Sequence, residues 1–453
     1  MNLPEEFVQC TSEIIGEEWN DFLSALNREP SISVRVNSSK LNSLPFKPIP
    51  WSANAYQLNK RPQFTLDPLI HAGAYYVQEA NSMFVEEALR QTIDISKAQI
   101  ALDLCAAPGG KTTLISSLLS ENSLVVANEV IKARAGILKE NVQKWGKGNV
   151  VVTSNDAKDF GKLNSFFDLI VADLPCSGEG MFRKDPKAVE EWSLNNVNLC
   201  AERQKRIVAS VWPSLKEGGV FLYSTCTYNR DENENNIQWI LENFDAELLP
   251  LKINDEWGIV SSGKGYRFYP HRTPGEGFFI SVVRKKGNFE ENRGKKNFKK
   301  DFSLPSKKEK EIIESFLKPN LEYLKWRTFL FAFQFSTEKF MQVAEALYVL
   351  HLGVEVGELI RDDLKPSPTI VYSNFISKNS FEFLELNQLD ALKFLKRENI
   401  ILPSGAKKDW LIFTFKKVNI GLAKNIGNRI NNYFPKEWVI RMAIPSGELE
   451  TLG

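Results

Sequence analysis

Short apolar runs alternate with helix-type segments between about residues 98 and 285. The apolar runs lie at 100–104, 124–128, 150–153, 167–172, 220–224 and 278–283, with helical segments such as 111–119 and 131–143 between them. Strands that alternate with helices indicate an α/β domain, a parallel sheet covered on both faces. In such sheets ligands bind at the carboxyl ends of the strands, near the point where the strand order reverses. We therefore expect the functional residues directly after the strands.

The cysteines and the overall charge exclude several classes of protein. Cys10, Cys105, Cys176, Cys200 and Cys226 are an odd, sparse set, and no two of them stand at CxxC spacing. With only three histidines, this pattern predicts reduced thiols and no metal site. The acidic amino terminus and the lack of an apolar run of about 20 residues predict a cytoplasmic protein without a membrane anchor. The net charge is +1, so attraction to nucleic acid has to come from local patches.

A loop of small residues follows the first strand and opens a helix: residues 103–112 read DLCAAPGGKT. Small residues allow close approach of a ligand to the backbone, and the first amides of a helix favour an anionic group. The loop is not a P-loop, because Cys105 stands where that motif needs glycine, and it lacks the GxGxxG order. Glu129 and Asp156 follow the next two strands, where they are placed for a ribose and an adenine respectively. Either acid alone is more often a helix cap or a solvated carboxylate.

Two cysteines follow the fourth and fifth strands, within VADLPCSGEG (171–180) and YSTCTY (223–228). Since adjacent parallel strands end at the same edge, Cys176 and Cys226 are predicted to share one cleft beside the small-residue loop. A buried packing role is the ordinary alternative for a cysteine, and we expect it for Cys10 and Cys200.

Three segments carry a resemblance to a known family. They read LDLCAAPGGKT (102–112), DLPCSGEGMFRKDP (173–186) and YSTCTYNRDENE (223–234), with flanking blocks YYVQEANSM (75–83) and YPHRTPGEGFFIS (269–281). They resemble the signature motifs of the Sun/NSUN-type RNA cytosine-C5 methyltransferases, most closely those of the small-subunit ribosomal RNA methyltransferase F branch. The resemblance implies a Rossmann-like class I methyltransferase sheet that uses S-adenosyl-L-methionine.

The resemblance also assigns roles to residues. It implies an S-adenosylmethionine site formed by Cys105, Ala106, Ala107, Pro108, Gly109, Gly110, Lys111, Glu129, Asp156 and Asp173. Cys226 is implied as the nucleophile that adds to carbon 6 of cytosine, and Cys176 as the cysteine that assists product release. A thiolate suits this reaction because its addition turns carbon 5 into a nucleophile towards a methyl sulfonium. Asp173 is expected to hydrogen-bond the exocyclic amine and N3 of the base.

The regions outside the motifs suggest how RNA is bound. A helix is predicted over 4–26 and a strand over 32–36, within an amino-terminal RNA-binding extension at 1–75. The predicted methyltransferase domain spans 76–285, a basic linker 286–304, a C-terminal α+β domain 305–385 and a PUA-like module 386–453. Residues 284–301 carry eight basic and three acidic side chains, which is typical of a tether, an RNA-contacting arm or both.

Three functions compete for this sequence. The leading hypothesis is cytosine-C5 methylation of small-subunit (16S) ribosomal RNA, free or in the assembling 30S subunit, by a monomer. Transfer RNA is the alternative substrate. The motifs do not separate the two, because target choice depends on the flanking domains. A non-catalytic ribosome-assembly factor is disfavoured, since such a protein would be expected to lack Cys226, Asp173 or the glycine loop. Of the histidines, His271 is expected to fix a loop rather than to act as a base, and His71 and His351 carry no functional signal.

Overall fold

The computed structural model describes residues 1–287, 301–361, 363–377, 379–445 and 450–452. Most of the predicted basic linker, residues 288–300, lies outside these ranges. Within them, no helix combines the length and the apolar character needed to cross a bilayer.

The amino-terminal region forms a four-stranded sheet beside a helical pair. Its elements are helices α1 (Glu5–Ile15), α2 (Trp19–Leu26) and α3 (Pro68–His71) and strands β1 (Ile32–Val36), β2 (Lys47–Pro48), β3 (Ala55–Leu58) and β4 (Tyr75–Val77). The single helix predicted over 4–26 is wrong. Gly16 has a φ of 66°, a conformation that favours glycine, and it ends α1 before a short 3-10 turn leads into α2.

The central region contains the predicted α/β domain. Its elements are helices α4 (Val85–Thr92), α5 (Gly110–Leu118), α6 (Lys132–Trp145), α7 (Pro186–Glu191), α8 (Leu194–Val211) and α9 (Glu234–Asn243) and strands β5 (Ile100–Asp103), β6 (Leu124–Asn128), β7 (Val150–Thr153), β8 (Phe167–Asp173), β9 (Leu215–Thr225), β10 (Ala246–Leu248), β11 (Val260–Ser261), β12 (Tyr266–Phe268) and β13 (Phe278–Lys285). Every residue of β5, β6 and β7 is buried, as expected for parallel strands covered on both faces.

The strand order of this sheet indicates where a ligand site is expected. Strands β9, β8, β5, β6 and β7 lie side by side and parallel, and β13 pairs antiparallel with β9. The chain moves outward from β5 through β6 to β7 and then returns to the other side of β5 as β8. The order therefore reverses between β5 and β8, which is where an α/β sheet opens a crevice for a ligand.

The C-terminal region contains two smaller sheets. Its elements are helices α10 (Lys307–Phe316), α11 (Thr337–Ala346) and α12 (Gln388–Leu395) and strands β14 (Phe302–Ser303), β15 (Glu322–Trp326), β16 (Phe329–Phe333), β17 (Val349–Leu352), β18 (Val354–Ile360), β19 (Asp363–Pro366), β20 (Glu382–Glu385), β21 (Trp410–Phe415), β22 (Val418–Asn425) and β23 (Ile430–Asn432). One sheet has the order β14-β15-β16-β18-β19 and the other β20-β21-β22-β23.

Strand β17 leaves the C-terminal region to join the central sheet, where it pairs antiparallel with β7. The sequence analysis did not anticipate this pairing. It covers the edge of the sheet that β7 would otherwise expose. The residue limits given above for the five regions stay predictions, but this strand ties the C-terminal region to the central sheet.

The amino-terminal helices pack against the loops that carry the two motif cysteines. Phe7 of α1 and Phe22 of α2 are fully buried. Their ring centroids lie 5.0 Å from Phe182 and 5.1 Å from Tyr228. Phe182 comes after Cys176 in one motif loop, and Tyr228 comes after Cys226 in the other. The amino-terminal extension therefore stabilises both loops by packing against them.

Candidate active site

The glycine loop begins at the buried carboxyl end of β5. Gly109 has a φ of 114°, which a residue with a Cβ rarely adopts, and α5 starts at the next residue. Asp103 is fully buried and accepts a hydrogen bond of 2.6 Å from the Thr112 hydroxyl. Burial raises the pKa of Asp103 to about 7. Its other carboxylate oxygen, Oδ1, has no hydrogen-bond partner within the described residues.

Glu129 lies at the carboxyl end of β6 and is buried. Its carboxylate accepts the amide of Ile131 at 2.9 Å and faces Arg134 at 3.4 Å. Arg134 also donates to the carbonyl of Ala107 at 2.8 Å, so it joins the glycine loop to the acid. The sequence analysis missed Arg134, which stands on α6 without a motif of its own.

The exposed residue Asp156, after β7, caps a short 3-10 turn by accepting the amide of Lys158 at 3.0 Å. This is the helix-cap role that the sequence left open. The same carboxylate lies at the strand end that the adenine prediction requires, and its exposure leaves it accessible to a ligand.

These groups fit S-adenosylmethionine. The unpartnered Oδ1 of Asp103 offers a buried acceptor for an ammonium, and the first amides of α5 are donors that suit a carboxylate. The buried Glu129 carboxylate is an acceptor of the kind that ribose hydroxyls need. The described residues therefore offer partners suited to the ammonium, the carboxylate and the ribose of that cofactor.

Asp173 and Lys111 connect the cofactor loop to the cysteines. Asp173, the last residue of β8, accepts from the Ser224 hydroxyl and from the Lys111 ammonium, each at 2.8 Å. Burial, the largest single influence, would lower the pKa of Lys111, but the charge and hydrogen bond of Asp173 together with the charge of Asp103 outweigh it and hold that pKa above its ordinary value. The Lys111 side chain is only 14% exposed, so it is not a solvated surface lysine.

The structure brings Cys176 and Cys226 into direct contact. Their sulfur atoms lie 3.1 Å apart, and the Cys226 amide lies 3.4 Å from the Cys176 sulfur. The hydrogen bond with Cys226, together with burial, raises the pKa of the Cys176 thiol. The positive charge of Lys111 acts on Cys226. The contact with Cys226 and burial therefore favour the protonated form of Cys176, and Lys111 lies close enough to Cys226 to interact with it electrostatically.

Two buried carboxylates hold the cysteine loops in place, and the sequence analysis gave them no role. Glu232 accepts the Ser177 amide at 3.0 Å and the side-chain amides of Gln204 and Asn229 at 2.7 and 2.8 Å. Glu179 accepts the backbone amides of Tyr228 and Asn229 at 2.7 and 2.9 Å. Each acid thus joins the segment after Cys176 to the segment after Cys226. The acidic residues inside both motifs were the sequence feature from which this role could have been predicted.

The remaining candidates are His271, Cys200, Cys10 and Cys105. Nε2 of His271 lies 2.8 Å from the Glu18 carboxylate, which agrees with a loop-fixing role. Cys200 is buried as expected. The expected burial of Cys10 is wrong: it is exposed, because α1 turns Phe7 and Thr11 towards the protein instead. Cys105 belongs to the glycine loop, and burial raises the pKa of its thiol.

Comparisons with known proteins agree with this architecture. The family described as 16S rRNA methyltransferase RsmB/F matches residues 90–284. The N-terminal domain of 16S rRNA methyltransferase RsmF matches residues 3–80, and the methyltransferase RsmF PUA domain matches residues 381–440.

Individual relatives match over nearly the whole chain. The ribosomal RNA small subunit methyltransferase F of Shewanella woodyi is 30% identical and covers 95% of both chains. That of Aliivibrio fischeri strain MJ11 is 31% identical over 96% of this chain and 98% of its own. A solved methyltransferase homologue from Pyrococcus horikoshii is 30% identical, with a TM-score of 0.54 over 62% of this chain and 95% of that one. The chain therefore belongs to the RsmB/F family of 16S rRNA methyltransferases.

Proposed function

We propose that this methyltransferase modifies carbon 5 of a cytosine in small-subunit ribosomal RNA, with Cys226 as the covalent nucleophile. The observation that carries the proposal is the contact of two thiols, 3.1 Å apart, at adjacent strand ends next to the segment that holds the Lys111–Asp173 ion pair. The choice of Cys226 over Cys176 follows from the resemblance of its YSTCTY segment to the family's motif, and the hydrogen bond with Cys226, together with burial, raises the pKa of Cys176. A thiolate is the reactive form of cysteine, and a nearby cation favours it.

The first step is addition of the Cys226 sulfur to carbon 6 of the base. The Cys176 thiol, 3.1 Å away, donates a hydrogen bond to the Cys226 thiolate and keeps it in place. Asp173 accepts a hydrogen bond from the exocyclic amine of the cytosine, and from N3 once that nitrogen takes up a proton as the sulfur adds; Lys111 and Ser224 orient its carboxylate. As the sulfur–carbon bond forms, electron density moves to carbon 5, which becomes a nucleophile.

S-adenosylmethionine, when bound, supplies the electrophilic methyl group that carbon 5 takes. Asp103, Glu129 and the 105–111 loop hold it, with Asp156 at the adenine end. Afterwards the carbon-5 proton leaves to a base, the electrons of that bond restore the ring double bond, and the Cys226 sulfur departs as thiolate. Cys176 assists this release, because it lies beside the sulfur that leaves.

The flanking regions hold the RNA in this proposal. A cleft of about 1160 Å³ lies between α6 and the segment 429–438. Cationic and aromatic side chains line it, including Lys139, Arg397, Arg429, Lys436 and Tyr433. Such a mixture suits phosphates and unstacked bases. The target cytosine has to leave its stack to reach Cys226, which favours an unpaired or loosely paired site.

One copy of the chain supplies the proposed cofactor site and both cysteines, so we propose a monomer. We place it in the cytoplasm, where its ribosomal substrate lies and where thiols stay reduced.

The test is bisulfite mapping of 5-methylcytosine in ribosomal and transfer RNA. Cells that lack the protein are compared with cells that carry wild-type, Cys226→Ala or Cys200→Ala protein, the last as the matched control. We expect one or more 16S cytosines to lose the mark in the deletion and in Cys226→Ala cells but not with Cys200→Ala. A mark that survives Cys226→Ala but not deletion would give the nucleophile role to Cys176. Loss confined to transfer RNA would refute the ribosomal substrate, and no change would refute methylation.

A further inference from the structure

Tyr348 stands at the carboxyl end of β7, although it belongs to the C-terminal region. In the antiparallel pairing of β17 with β7, Val349 lies opposite Thr153, so Tyr348 lies just beyond the last residue of β7. The Tyr348 amide donates to the Asn155 side chain at 3.0 Å. Its carbonyl accepts from the Ser154 amide at 3.1 Å. These bonds fix its backbone beside the loop that leads to Asp156.

The residues around Tyr348 indicate the direction of its side chain. Leu347 and Val349 are buried in the core on one face of the central sheet. Leu350 packs against the core on the opposite face, which also contains Ala106 and Ala107 of the glycine loop. Successive side chains of an extended chain point to opposite faces. Tyr348 therefore lies on the face of Leu350 and the glycine loop, where it is 62% exposed.

Two more exposed apolar side chains lie at the same edge of the sheet. Val130 and Ile131 follow Glu129 directly and are 59% and 51% exposed. The loops that carry them and Tyr348 are joined, because the Asn128 side chain donates to the Asn155 carbonyl at 3.0 Å. Apolar side chains gathered beside convergent polar groups are typical of a small-molecule site rather than of ordinary surface.

We infer that Tyr348 packs against the adenine ring of bound S-adenosylmethionine, so that the C-terminal region completes the cofactor site. The inference rests on the proposed cofactor site and adds a residue that the motifs do not contain. The ligand class is an adenine nucleoside: its flat ring needs an apolar or aromatic partner at the strand ends where Glu129 and Asp156 stand. Stacking requires the aromatic ring of Tyr348 and not its hydroxyl group.

Calorimetric titration of the full chain with S-adenosylhomocysteine and with adenosine tests this inference. The variants are Tyr348→Ala and Tyr348→Phe, and the control is Phe329→Ala, another exposed aromatic of the C-terminal region. We expect Tyr348→Ala to weaken both ligands about tenfold, in the range seen when an aromatic partner of a base is removed. Tyr348→Phe and Phe329→Ala should bind within about twofold of wild type. RNA affinity without cofactor should be unchanged, and urea midpoints check that all variants fold.

Each other result overturns the inference. Wild-type affinity in Tyr348→Ala, or a loss confined to RNA binding, would remove Tyr348 from the cofactor site. An equal loss in Phe329→Ala would assign the effect to general damage of the C-terminal region. A wild-type chain that binds neither ligand would instead refute the proposed cofactor site, so the two failures are distinguishable.

Discussion

Gly180 offers a sharp test of how closely the Cys226 loop must be held. The Gly180 amide donates to the Cys226 carbonyl at 2.9 Å. A Cβ placed on residue 180 would lie 2.9 Å from that carbonyl oxygen and 2.5 Å from the carbonyl oxygen of Gly277. Both neighbours are backbone atoms, and Gly277 itself lies against the ring of the buried Tyr228. The contact therefore cannot be relieved by turning a flexible side chain.

The size of the expected effect follows from these distances. Ordinary contact begins near 3.4 Å, so Gly180→Ala requires the Cys226 carbonyl to retreat by about 0.5 Å and the Gly277 carbonyl by about 0.9 Å. Overpacking of this kind costs about 1–3 kcal/mol of stability. Displacement of a catalytic group by about 1 Å can slow a reaction by roughly a hundredfold. For the shift of about 0.5 Å at the Cys226 carbonyl, half of that displacement, we expect methyl transfer to be roughly tenfold slower.

The assay is single-turnover transfer of a labelled methyl group to 16S RNA at saturating cofactor. Gly161→Ala is the matched control, because a Cβ at this exposed position of the short 3-10 turn Ala157–Lys162 meets no atom within 4 Å. It should leave both the rate and the urea midpoint unchanged. A folded Gly180→Ala protein with the wild-type rate would refute the argument that the Cys226 loop needs this contact.

Further variants test the chemistry and one buried histidine. Cys176→Ala should accumulate a covalent RNA adduct, seen as a retarded band on a denaturing gel, and Cys226→Ala should form none; an adduct in the latter would reverse the two roles. Lys111→Met should slow single-turnover transfer at least tenfold, because Asp173 and Cys226 lose their cation, and a rate within twofold of wild type would contradict that role. Burial lowers the pKa of His351 from 6.5 to about 3. The unfolded chain therefore takes up this proton first, and stability is lost as the pH falls below about 6.5. That loss reaches about 3 kcal/mol at pH 4.5. His351→Gln should flatten the fall in urea denaturation between pH 7 and 4.5, and an unchanged slope would contradict the buried neutral histidine.

Much of the central sheet could be predicted because each strand is marked by a local pattern of apolar residues. The predicted runs at 124–128 and 150–153 coincide with β6 and β7, since each is a short, wholly apolar segment between polar turns. The run at 220–224 was five residues short of the start of β9. The segment 215–219 contains Lys216, Glu217 and two glycines, which break the apolar pattern, and the pairing with β8 shifts its register across it, from Phe167–Leu215 to Leu169–Val220.

Pairings between distant segments could not be predicted. The contact of β17 with β7 joins residues about 200 positions apart, and nothing in either run specifies its partner. The same holds for Arg134, whose role comes from its position in the first turn of α6. Glu179 and Glu232 can be read from the sequence, but their role depends on hydrogen bonds with backbone amides of another loop. The sequence alone does not show which amides those are.

Strand β17 also gives a physical reason for joining RNA binding to catalysis. Without it, β7 would present a row of unpaired backbone groups, and Val349 and Leu352 would lose their burial in the central core. The C-terminal region is thus held to the sheet by backbone pairing as well as by apolar packing. In the proposed complex, RNA bound in the cleft beside α6 would therefore lie at a fixed distance from Cys226. Covalent addition needs the reacting atoms about 3–3.5 Å apart and aligned, so a rigid connection between the RNA-binding surface and the sheet favours the reaction more than a mobile tether would.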